Sequence, residues 1–140
     1  MPINYVAVIV CAVLSMVIGF TWYSKALFGK MYAEVMGMNM NISKEEMKAI
    51  QKRMMPVYIG QFLLSLFQVF MLALFIRAFG TTPGIKVAFF IFMGFVMTTI
   101  AGGALWSGKT RKNSWKMFFI VFGAQFVTFM ASGIILSNWH

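Results

Sequence analysis

Four stretches of this chain, residues 1–24, 54–76, 87–108 and 117–140, contain no Asp, Glu, Lys or Arg. A helix needs roughly 20 apolar residues to cross a hydrocarbon layer about 30 Å thick, so each stretch is long enough to span once with some tilt. Buried helices of a soluble protein are the competing reading. Only 11% of the residues are charged, against about a quarter in soluble domains, and such long apolar runs are the signature of membrane spans. The expected fold is all-α: a four-transmembrane-helix bundle with a short amphipathic interfacial helix between helices 1 and 2. Residues 1–140 form a single integral membrane domain, with spans at about 3–24, 57–79, 85–107 and 116–138.

The charges sit in the connections and set an orientation. Lys25, Lys30, Lys44, Lys48, Lys52 and Arg53 occupy the first, and Lys109, Arg111, Lys112 and Lys116 the third, whereas only Arg77 and Lys86 flank the second. The positive-inside bias therefore places residues 25–53 and 108–116 in the cytoplasm and both termini outside, in a bacterial inner membrane. The first span has no Lys or Arg ahead of it, so it is expected to remain as an anchor and not to be cleaved as a signal peptide. The net charge of +9 points to anionic lipid headgroups at the cytoplasmic face as a partner, and not to nucleic acid. All four Trp lie at span ends, where amphipathic rings favour the headgroup level: Trp22, Trp106 and Trp115 on the inner side and Trp139 on the outer one.

Within the first connection, Ser43 followed by Glu46 forms a capping box, and Ile42 can staple onto Met47. Met47, Ile50 and Met54 then recur on one face, as in a helix lying on a leaflet, and Pro56 marks a bend into the second span. Met36, Met38 and Met40 alternate, a pattern that soft Cu(I) could use. With 14 Met in the chain, flexible apolar packing explains it better.

Helices in lipid associate through close backbone approach and polar side chains. Small residues at four-residue spacing form a stripe on three spans: Ala7, Cys11, Ser15 and Gly19; Gly94, Thr98 and Gly102; Ala124, Thr128 and Ser132. These stripes point to a homo-oligomer. The second span instead offers an uncharged polar stripe, Gln61, Ser65 and Gln68. Interhelical hydrogen bonding is the favoured role for these glutamines and Gln125; if the membrane region holds a binding site, Gln61, Ser65, Gln68, Gln125 and Thr128 are its candidate residues. Gly19, Trp22, Lys25 and Gly103, Trp106, Lys109 repeat a G-x-x-W-x-x-K pattern, which a duplicated helical hairpin would produce.

Catalysis needs a nucleophile with a base, a carboxylate pair or a metal. The only acids are Glu34, Glu45 and Glu46, all in the first connection, beside one Cys and one His. No catalytic residue, metal site or cofactor is expected, and proton coupling through an intramembrane carboxylate is disfavoured. The expected function is a non-enzymatic small oligomeric transporter or channel for a small solute, or a lipid-interacting protein. The alternative is an accessory or assembly protein that binds another membrane protein through the small-residue stripes.

The start Met1-Pro2-Ile3-Asn4-Tyr5, the run Gly19-Phe20-Thr21-Trp22-Tyr23-Ser24 with Leu27-Phe28-Gly29-Lys30, and Met36-Gly37 carry a family likeness. So do Trp115-Lys116-Met117-Phe118 and Ser132-Gly133-Ile134-Ile135-Leu136. On these motifs the chain resembles the small multi-pass membrane family filed as domain of unknown function 1761. The resemblance implies four helices and supplies no activity, substrate or partner. Within it, Trp22, Tyr23 and Gly29 form an interfacial motif that is either a structural turn or the mouth of a lipid or substrate site.

Overall fold

The structure is a computed structural model that describes residues 2–24, 26–37 and 43–139. Six helices account for nearly all of them: α1 (Tyr5–Trp22), α2 (Gly29–Met36), α3 (Lys44–Arg53), α4 (Met55–Ala78), α5 (Gly84–Leu105) and α6 (Arg111–Asn138). No strand occurs among the described residues. Helices α1, α4, α5 and α6 are long and apolar enough to cross a membrane, as the charge-free stretches require of a multi-pass membrane protein.

Helix ends follow local chemistry. The Asn4 side chain accepts a hydrogen bond from the Ala7 backbone N–H at 3.1 Å and caps α1, and Thr110 caps α6 by accepting from the Asn113 N–H at 3.3 Å. Ser43 accepts from the Glu46 N–H at 3.2 Å, as its capping position demands; the proposed Ile42 staple, like Met38 and Met40, lies outside the described residues. Pro56 falls in the first turn of α4, where its missing N–H leaves no helix bond unmade. No described residue of α3 is buried by the rest of the chain, so its stability rests on local terms. Ser43→Ala is expected to lower α3 stability by about 1 kcal/mol, read as faster amide hydrogen exchange over residues 44–53 with α4 unchanged.

Helix α6 is the hub, touching α1, α2, α4 and α5. Its closest approach is to α5. A Cβ on Gly84 would lie 2.7 Å from Ser137, and one on Gly133 would lie 2.8 Å from the Ala88 methyl. The centre is filled by Phe92, which is fully buried and meets Phe122, Phe126 and Phe129 at ring-centroid distances of 5.2, 5.4 and 5.6 Å. Ala7, Cys11 and Ala88 belong to the same buried cluster.

Helix α5 is irregular at Phe92–Val96, where the Met97 N–H reaches back to the Phe92 carbonyl in a π turn. One inserted residue rotates the rest of the helix by about 100°. The buried face passes from Gly84, Ala88 and Phe92 to Val96, Met97 and Ala104, while Gly94 and Thr98 turn outward. In a regular helix Thr98 and Gly102 would have fallen near the face of Gly84, and the π turn carries them away from it; Gly94 lies on the side opposite Phe92 in either case.

Candidate functional site

The Trp22, Tyr23 and Gly29 motif builds a joint between α1, α2 and α6. After α1 the chain reverses within six residues: the Phe28 N–H donates to the Trp22 carbonyl at 3.0 Å and the Gly29 N–H to the Ser24 carbonyl at 2.9 Å. A Cβ on Gly29 would run into the carbonyl oxygens of Tyr23 and Ser24, so this turn accepts only glycine. Trp22 lays its ring over Gly123 of α6, where no side chain stands in the way. Its Nε1 donates to the Ile120 carbonyl at 2.9 Å, and its ring meets Phe28 at 4.7 Å. Tyr23 packs edge-on against Tyr32 at 4.9 Å. Trp22 is thus packed into the joint between α1, α2 and α6. Its repeat counterpart Trp106 is 91% exposed, so the two G-x-x-W-x-x-K segments end their helices in different surroundings.

The glutamines converge. Gln61 and Gln68 of α4 and Gln125 of α6 line one groove of about 510 Å³, walled by Phe67, Phe75, Ile91 and Val96. The groove lies on the flank of the helices, since Leu64, Phe67 and Phe75 are all exposed. Gln61 donates weakly to Ser65 on its own helix at 3.4 Å, and Thr128 donates to the Ala124 carbonyl at 2.8 Å within α6. Among the described residues, the side chains of Gln68 and Gln125 make no hydrogen bond. The site therefore joins three uncharged amides that do not bond one another, next to the π turn of α5. Ser65 is buried and accepts from Gln61, and Thr128 is engaged within its helix; neither lines the groove.

The small-residue stripes divide. Ala7 and Cys11 are fully buried, and Ala124 and Ser132 nearly so, so the α1 and α6 stripes pack inside the chain. Ser15 donates to the Cys11 carbonyl at 2.8 Å. At Gly19, Gly94 and Gly102 an added Cβ would meet nothing within 4 Å. With Thr98, which is also exposed, the α5 stripe faces away from the other helices. Sequence reasoning passed over the tightest contacts, Gly84 with Ser137, Gly133 with Ala88 and Gly123 with Trp22. The available signal was a second pair of four-residue spacings, Gly84 to Ala88 and Gly133 to Ser137, out of phase with the stripes singled out by two residues on α5 and by one on α6. A further groove of about 480 Å³ lies at the other end of the molecule, where Arg77 and Thr82 face Asn4, Ser137 and Trp139.

Residues 6–137 match the family described as a protein of unknown function, DUF1761. The chain belongs to DUF1761. The match covers the α1 to α2 joint, the glutamine groove and the whole of α6 but its last residue, so these features lie within the DUF1761 region. No curated protein and no solved structure matches this DUF1761 chain.

Proposed function

We propose that the protein is a non-enzymatic multi-pass protein of a bacterial inner membrane that assembles from several copies and holds or passes a small uncharged polar solute between them. One observation carries this reading: the amides of Gln68 and Gln125 stand unpaired in a groove that opens sideways at membrane depth. Unpaired amides facing acyl chains are costly, and a neighbouring copy laid against α4 and α5 would give them partners. The outward face of Gly94, Thr98 and Gly102 lets another helix approach closely. Phe92 is fully buried at the centre of a single copy, which favours a polar route between copies. The amides carry no charge, which favours a neutral hydrogen-bonding solute over an ion. In this reading the long helices form a four-span bundle, α3 lies on the inner leaflet with Met47, Ile50 and Met54 toward lipid, and both termini are outside.

The test uses full-length protein in proteoliposomes. Single-molecule photobleaching is expected to show more than one copy per complex, and flux of a small neutral solute such as glycerol is expected to exceed that of empty vesicles. Gln68→Leu with Gln125→Leu is expected to weaken assembly by about 1 kcal/mol per amide and to abolish flux. A protein that remains single and passes no solute would overturn the proposal. Crosslinks from Gly94→Cys in cells decide between assemblies: bonds to a second copy support this reading, and bonds to one dominant different membrane protein support the accessory role in its place.

A further inference from the structure

The turn from α5 into α6 closes a groove of about 630 Å³ at the end of these helices remote from Arg77. Its wall is graded. Ala101 and Phe118 line the part nearest the middle of the spans, Leu105 and Trp115 follow, and Lys109, Arg111 and Ser114 line the outer part. Leu105 is 82% and Trp115 is 56% exposed, so the apolar wall is open to a molecule lying alongside the helices. Gly108, at φ 73°, makes the left-handed turn that brings Lys109 back over the groove. None of the three acids of the chain lines it.

We infer that this groove binds one anionic phospholipid, with its phosphate between Lys109 and Arg111 and the first part of its acyl chains against Leu105, Trp115 and Phe118. The order of wall residues matches the order of groups in such a lipid: charge, then an aromatic belt, then hydrocarbon. Charge balance at the helix end points the same way. The first turn of α6 has no acidic residue and carries Arg111 and Lys112, cations placed against the positive end of the helix dipole. A bound phosphate would offset both the dipole and the cations. This inference stands apart from the glutamine groove and needs neither flux nor self-association.

Full-length protein in neutral detergent is titrated with short-chain phosphatidylglycerol, short-chain phosphatidylcholine and inorganic phosphate, with bound lipid counted by native mass spectrometry. One phosphatidylglycerol is expected to bind in preference to phosphatidylcholine. Lys109→Gln with Arg111→Gln is expected to weaken it about thirtyfold, whereas Lys44→Gln with Lys48→Gln on α3 leaves it unchanged. Ala101→Leu, which fills the apolar part and removes no charge, is expected to weaken the lipid alone and serves as the deciding variant if the double substitution fails to fold. Equal loss from the α3 pair would show a general charge effect and overturn the inference. So would lipid binding indifferent to Ala101→Leu, or inorganic phosphate binding as tightly as the lipid.

Discussion

Trp22→Ala is expected to lower unfolding free energy by about 3 kcal/mol, the low end for removing a large aromatic side chain, since the ring is only partly buried. Three losses combine: the contact with Gly123, the contact with Phe28 at 4.7 Å, and the bond from Nε1 to the Ile120 carbonyl at 2.9 Å. Trp22→Phe keeps most of the ring and loses the donor, so it is expected to cost about 1 kcal/mol. Reversible unfolding in mixed detergent micelles separates the two. Equal and small effects would show that the packing of Trp22 against Gly123 and Phe28 contributes little to stability. Trp106→Ala, which removes a 91% exposed side chain, is expected to change stability little.

Gly29→Ala is expected to be the most damaging methyl addition among the described glycines that lie outside helix packing contacts. Its Cβ would meet two backbone carbonyls that cannot move aside without reopening the turn, at a cost of about 2–3 kcal/mol. The same change at Gly94, where a Cβ meets nothing, is expected to stabilise α5 by up to about 1 kcal/mol through helix propensity. Opposite signs from one chemical change would separate a turn that requires glycine from an open face. A loss at Gly94 measured under assembling conditions but absent from the isolated chain would locate that face in an interface between copies.

The long helices were legible because a charge-free apolar run of membrane length is costly to leave in water and matches the hydrocarbon thickness, and the Ser43 cap because a hydroxyl three residues before Glu46 has a specific local partner. Gln61, Gln68 and Gln125 could be named from the sequence as rare polar groups at depth. Their meeting in one groove depends on α4 and α6 lying side by side, which no local pattern encodes. The stripe Gly94, Thr98 and Gly102 was read on the assumption of a regular helix. The π turn at Phe92–Val96 breaks that assumption, and nothing in its five residues announces it. Trp22 illustrates a further limit: residue type and position fit an interfacial anchor, and only Gly123, about a hundred residues away in sequence, reveals a packing partner.

The central claim is that four helices cross the membrane with the two basic connections on one side, and single-cysteine labelling tests it most directly. Cys11 is buried and can be replaced by alanine, after which cysteine is introduced in turn at Lys48, Thr81 and Lys112. In intact cells a membrane-impermeant maleimide is expected to label Thr81→Cys alone, with Lys48→Cys and Lys112→Cys reacting only after the membrane is opened. Labelling of Lys112→Cys in intact cells, or equal labelling of all three positions, would contradict the account.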